Sequence, residues 1–135
     1  MERGTDPGKT DLYKTVLVVD DSALMRKMLS SAFLSDGVET CVEAENGKEA
    51  IEVAKRSKPD LIVLDLSMPV MNGLQSAPEL RKILPHTPII LFTLYESHLP
   101  RAAAREAGVN LVLEKSVPLT TLIERAHELL QSSGK

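Results

Sequence analysis

The sequence predicts an α/β domain: a five-stranded parallel sheet, strand order 2-1-3-4-5, doubly wound with helices on both faces. Two observations carry this prediction. Short apolar runs bounded by polar residues, such as Thr15-Val16-Leu17-Val18-Val19 and Leu61-Ile62-Val63-Leu64, read as strands buried on both sides. Stretches with apolar residues at helical spacing lie between such runs, so strands and helices alternate along the chain. Right-handed crossovers leave few topologies for such units, and 2-1-3-4-5 is the common order at this size.

Residues 1–14 carry Gly, Pro and charge without periodicity and read as a flexible arm. The domain is expected over residues 15–131, with 132–135 a frayed tail or the start of a linker. The first strand falls at 15–20, and a helix fits 22–35 through Leu24, Met28, Ala32 and Leu34, stopped by Asp36-Gly37. A second strand at 39–44 leads to Asn46-Gly47-Lys48-Glu49, which reads as a helix start with Asn46 as cap and Glu49 reaching back. Ala50, Ile51, Val53 and Ala54 supply that helix's apolar face, and Pro59 stops it.

The third strand is 61–65, followed by a loop over 67–73 in which Gly73 is free to adopt positive φ. A third helix reaches about residue 84, with Pro78 either in its first turn or kinking it. Strand four is 89–93, and helix four starts at Pro100 and ends at Gly108. Strand five is 111–113, and an amphipathic helix runs from 118 to 130.

At 135 residues the chain is one domain by size, and 43% hydrophobic with 26% charged residues is ordinary globular composition. A net charge of −3 gives no electrostatic case for direct nucleic-acid binding or an anionic membrane, and the absence of Trp argues against base stacking. Residues 1–8 have no apolar stretch and do not read as a signal peptide, and no run approaches a membrane span, so a cytoplasmic location is the default. The lone Cys41 allows no internal disulfide and, inside a strand, reads as an inert thiol. His86, His98 and His127 lack metal-ligand spacing.

The chemistry concentrates at strand ends. Asp20 and Asp21 close the first strand, Asp65 the third and Thr93 the fourth, and Lys115 lies just past the fifth. In an open α/β sheet these carboxyl ends form the ligand crevice. Carboxylates ~4 Å apart repel by roughly 4 kcal/mol at an effective dielectric near 20, so the cluster takes up protons or holds a hard cation such as Mg²⁺. A carboxylate can also attack phosphorus, and phosphoryl transfer needs positioning and charge neutralisation above all. A divalent ion, an ammonium and a hydroxyl provide these, with Asp65 on the central strand as the natural nucleophile.

Asp20-Asp21, Asp65 with Met68-Pro69-Val70-Met71-Asn72-Gly73, Thr93 and Lys115 resemble the receiver domain of two-component response regulators, over about residues 15–130. Such receivers have a flavodoxin-like fold. The resemblance implies that a histidine kinase or phosphotransfer protein phosphorylates Asp65. It implies Mg²⁺ held directly by Asp21, Asp65 and the Ser67 backbone carbonyl, with Asp20 acting through water, and Thr93 and Lys115 on the phosphoryl oxygens. The domain would catalyse its own phosphorylation and dephosphorylation yet serve as a switch, signalling through helix four, strand five and helix five to an unidentified output domain or effector. Residues 59–65 and Lys115-Ser116 look most like receivers with helix-turn-helix outputs.

Three positions depart from the family pattern. Val112 stands where most receivers have the aromatic partner of the switch threonine. Ser116 replaces the proline that usually follows the lysine, often through a cis bond, which costs about 2.5–4 kcal/mol without proline. Leu94 is bulky where the family prefers a small residue. Ser67, Leu94 and Tyr95 occupy positions that tune phosphate lifetime in receivers. The Ala-rich fourth helix (Ala102, Ala103, Ala104, Ala107) suits close packing against a helix or second subunit, which leaves a homodimer open.

Two other functions compete. A binding module that keeps the fold without phosphorylation draws on Val112 and Ser116, against the intact acid cluster. A dehalogenase-type hydrolase needs a second Asp two positions after a first-strand nucleophile, where Ser22 stands here.

Overall fold

A computed structural model describes residues 13–94 and 101–133. Strands β1 (Thr15–Val19), β2 (Thr40–Ala44), β3 (Leu61–Leu64), β4 (Ile89–Thr93) and β5 (Leu111–Glu114) alternate with helices. The helices are α1 (Ala23–Ser35), α2 (Gly47–Ser57), α3 (Gly73–Ile83), α4 (Arg101–Glu106) and α5 (Leu119–Ser133). Every strand pair is parallel and the order is β2-β1-β3-β4-β5, as the sequence predicts.

Side-chain alternation divides the apolar strands between two cores. Leu17, Val19, Ile62, Leu64, Ile89 and Leu91 meet Ala50, Val53 and Ala54 of α2, Ala77 and Leu80 of α3 and Ala104 of α4. Their neighbours Val16, Val18, Leu61, Val63, Ile90 and Phe92 face the other way, onto Leu29 and Phe33 of α1 and Leu122, Ala126 and Leu130 of α5. Ala104 and Ala107 of the Ala-rich segment thus pack into the domain's own core, while Ala102 is exposed.

The helix starts follow local chemistry. The Ser22 hydroxyl accepts the Met25 N–H, and Asn46 accepts the Glu49 N–H. Glu49 reaches one residue further back than expected, its carboxylate taking the Glu45 N–H at 2.7 Å. At α3 Asn72 and Gln75 form a reciprocal capping box that the sequence reading missed. Pro78, expected either in the first turn of α3 or kinking the helix, sits in the second turn, where it has no N–H to offer the Leu74 carbonyl. The start of α4 expected at Pro100 lies outside the described residues.

The loop between β3 and α3 also differs from expectation. Gly73 does not take positive φ; Val70 does, at 69°, and the Met71 N–H closes a tight three-residue turn onto the Pro69 carbonyl. Gly73 is required for space instead: a Cβ there would stand 2.4 Å from the Asp65 carbonyl oxygen and 2.9 Å from Leu91 Cδ1.

At the chain's start, Tyr13 is 2% exposed, lies edge-on to Phe33 and donates its hydroxyl to Asp36 at 2.7 Å. Residues assigned to a flexible arm up to 14 therefore include one that is built into the core beside α1. At the other end α5 continues to Ser133, past the expected boundary at 131. Cys41 is half-buried, and burial pushes its thiol up to about 11, which keeps it unreactive near neutral pH. The end of the sheet away from Asp65 is fastened by Arg81. Its Nη1 donates to the carbonyls of Leu84, Pro85 and Thr87, and its Nη2 to the Gly108 carbonyl and Asn110 Oδ1.

Because the added methyl would meet backbone, Gly73→Ala is expected to lower unfolding stability by about 1–3 kcal/mol, as overpacking does. A urea unfolding midpoint equal to that of the unaltered protein would contradict the close approach at Asp65.

Candidate functional site

Strand register assembles the site. Val19 pairs with Leu64 and Leu64 with Leu91, so Asp20 and Asp65 emerge side by side at the carboxyl edge. The Asp20 N–H donates to the Ala44 carbonyl and the Asp65 N–H to the Val19 carbonyl, extending the ladder by one residue on each strand. Thr93 pairs with Glu114, which places Lys115 one step beyond, its N–H on the Thr93 carbonyl at 2.8 Å.

One carboxylate oxygen from each of Asp20, Asp21 and Asp65 lies within 4.8 Å of the others. Asp20 and Asp65 are buried and Asp21 is exposed. Lys115 Nζ reaches into the cluster, 2.8 Å from Asp20 Oδ2 and 3.5 Å from Asp65 Oδ2. Burial lowers the affinity of this ammonium for its proton, but the bonds and charges of Asp20 and Asp65 outweigh it and hold its pKa above the ordinary value. Burial, and then the charge of Asp20, push Asp65 up to about 6, against the opposing pull of Lys115 and the Leu66 N–H.

Three carboxylates against one ammonium leave two negative charges uncompensated, the charge of one divalent cation. Ligand oxygens at octahedral positions around a small cation lie about 3–4 Å apart, so the cluster needs little contraction to hold one. The donors are all oxygen and anionic, which suits a hard cation. The acid cluster therefore fits a metal ion.

The other expected residues are distributed around this centre. Thr93 is buried at the end of β4. Ser67 is exposed in the loop following Asp65, and Leu94 is 58% exposed just past Thr93. Val112 pairs with Leu91 and packs on the α2–α4 side, the face Thr93 shares two residues further along. The Lys115–Ser116 bond is trans, since no described peptide is cis. Tyr95 lies outside the described residues.

Two groups of polar residues escaped the sequence reading. Arg26 of α1 binds both the Asp20 carbonyl and Glu43. His127, which the sequence marked only as lacking metal-ligand spacing, bonds the same Asp36 oxygen as Tyr13, at 2.7 Å. Helical spacing gave no signal for either, because each partner comes from a distant part of the chain. His98 falls outside the described residues.

The sheet order and the three carboxylates at its carboxyl edge define a flavodoxin-type α/β domain with an acid cluster that could hold a metal ion. The response regulator receiver domain family matches residues 16–127. The chain is 35% identical over 116 residues to the chemotaxis protein CheY of Thermotoga maritima, covering 86% of this chain and 97% of that protein. It is also 35% identical over 119 residues to the transcriptional regulatory protein GlrR of Escherichia coli, covering 88% of this chain but 27% of that one. The structure of the Vibrio cholerae chemotaxis protein CheY4 superposes with a TM-score of 0.79 at 30% identity, over 86% of this chain and 98% of that one. The chain belongs to the response regulator receiver domain family, the receivers of CheY-like and two-component response regulators. The expected likeness to receivers with helix-turn-helix outputs has weak support, since transcriptional regulators match no better than CheY. Among the described residues no helix is long and apolar enough to cross a membrane.

The raised Asp65 pKa makes stability depend on pH. Between the ordinary carboxylate value of 3.8 and about 6 the folded state keeps a proton that the unfolded chain has released. The contribution is fully present below that window and is lost as pH rises through it. Two pKa units correspond to about 3 kcal/mol. Asp65→Asn is accordingly expected to be about 1–3 kcal/mol more stable than the unaltered protein at pH 8 without metal, with the gap closing toward pH 4. A constant gap across that range in denaturant titrations would refute the assignment.

Proposed function

We propose that Asp65 accepts a phosphoryl group from a phosphohistidine on a histidine kinase or phosphotransfer protein. The buried Asp65 carboxylate, 3.5 Å from Lys115 Nζ and inside the acid cluster, carries this reading. An Asp65 oxygen attacks phosphorus, the P–N bond of the donor breaks, and the released imidazole takes up a proton from solvent. Asp21, Asp65 and the Ser67 backbone carbonyl would hold Mg²⁺, with Asp20 acting through water, and the ion would supply charge neutralisation for the phosphoryl oxygens.

Lys115 is bonded more closely to Asp20 than to Asp65. Once Asp20 is otherwise compensated, the ammonium is free to follow the charge that develops on Asp65. Thr93 offers its hydroxyl to the same group, and its backbone tie to Lys115 joins the two responses. Without an aromatic at Val112, the change reaches the α4–β5–α5 face through this strand-end pair. The domain catalyses transfer to and from itself, and its product is a changed binding surface for an output domain or effector.

Incubation with Mg²⁺ and acetyl phosphate is expected to add one phosphoryl mass to the unaltered protein and none to Asp65→Asn, with the adduct lost when Mg²⁺ is withheld. No adduct, together with no binding of beryllofluoride, would overturn the reading in favour of a phosphorylation-independent binding module. Leu94 and Tyr95 shield the acyl phosphate from water in this scheme, with Ser67 a further influence on its lifetime. Leu94→Ala combined with Tyr95→Ala should shorten the phosphate half-life severalfold, and an unchanged half-life would remove them from that role.

A further inference from the structure

Asp20 is held at each of its polar atoms. Its N–H donates to the Ala44 carbonyl at 3.1 Å, Oδ1 accepts the Ser22 N–H at 2.9 Å, and Oδ2 accepts Lys115 Nζ at 2.8 Å. Its carbonyl accepts Arg26 Nη1 at 2.6 Å, the shortest of the four. That carbonyl belongs to the peptide group joining Asp20 to Asp21. Rotation of this plane carries the Asp21 carboxylate with it, and among the described residues nothing bonds the Asp21 side chain directly. Arg26 is in turn fixed from β2: its Nε donates to Glu43 Oε1 at 2.9 Å, and Glu43 Oε2 accepts the Ser30 hydroxyl at 3.3 Å. The Arg26 side chain is 17% exposed and that of Glu43 43%, so solvent competes less for the bond to the Asp20 carbonyl than for the bond to Glu43.

We propose that Arg26, locked by Glu43, is a positioning residue that sets the peptide plane between Asp20 and Asp21 and thereby the grip of Asp21 on a divalent cation. The inference rests on the magnesium-dependent reading above. Arg26 bonds the Asp20 backbone carbonyl and none of the three pocket carboxylates; it acts through the peptide that joins Asp20 to Asp21. A guanidinium suits this task because different nitrogens of one rigid plane serve the carboxylate and the carbonyl together. Lysine at this position keeps the charge but offers a single nitrogen on a flexible stem. Partners of this kind behind metal ligands typically account for 10–100-fold in affinity.

The test is a calorimetric MgCl₂ titration of the full chain, paired with amide NMR spectra of the metal-free protein. Arg26→Ala is expected to weaken Mg²⁺ binding about 10-fold. It should also shift the Asp21 amide while leaving the Asp65 amide in place. Arg26→Lys should recover only part of the affinity. Glu43→Ala, which leaves the arginine present but loose, should weaken binding in the same direction, and the double variant should be no weaker than Arg26→Ala alone, because both act through one relay. If Arg26→Ala does not fold, Glu43→Ala carries the test. Mg²⁺ affinity within twofold of the unaltered protein, with only a lowered unfolding midpoint, would reduce Arg26 to a structural tie between α1 and β2 and overturn the proposal. Failure of the folded, unaltered protein to bind Mg²⁺ at all would instead overturn the metal-site reading on which it rests.

Discussion

Two buried carboxylates share one ammonium, and the rest of the domain is arranged around that imbalance. Asp20 and Asp65 stand on adjacent parallel strands because the register of β1 against β3 leaves them no alternative. Lys115 reaches both, yet one positive charge cannot neutralise two negative ones, and the exposed Asp21 adds a third. A sheet with softer packing would relieve the repulsion by spreading its strand ends. Here β1, β3 and β4 are buried almost throughout, with helices on both faces, so repulsion at the edge is resisted by two apolar cores.

The same imbalance makes the pocket responsive. A site whose charges cancelled would gain little from a cation and would respond weakly to a phosphoryl group. One held short of neutrality favours an added divalent ion and, under the proposed function, redistributes its contacts when a new anion forms on Asp65. In the proposed function Lys115 is the part that moves, since it lies unequally between two partners. The cost appears as a carboxylate with reduced acidity, which is the usual mark of a group kept for chemistry rather than for structure.

Much of this was legible before any coordinates. The strands were readable as apolar runs with polar ends, and once their order was inferred, Asp20, Asp21, Asp65 and Lys115 had to converge. A local signal also located Asn46 as a helix cap. The misses share a physical cause. Gly73 was read through its own backbone freedom, whereas its importance lies in the space beneath it, against the Asp65 carbonyl. Tyr13 follows a polar segment with no periodicity, and its burial depends on Phe33 and Asp36, which arrive from the end of α1. Arg26 looked like one more charged residue on a helix, because its carbonyl partner is unmarked in sequence and Glu43 lies across a crossover.

Arg81 gives the domain a fixed end. Its guanidinium gathers carbonyls from the close of α3, the turn that follows and the turn before β5 into one hub, on the side of the sheet remote from Asp65. The chain entering β4 and the chain entering β5 are therefore clamped to each other where nothing chemical happens. Their other ends carry Thr93 and Lys115. Each strand is held at its start by this hub, and at the pocket end the Lys115 N–H on the Thr93 carbonyl joins the two once more. One guanidinium thus does at the quiet edge of the sheet what the acid cluster does at the other, drawing separate strands to a common point.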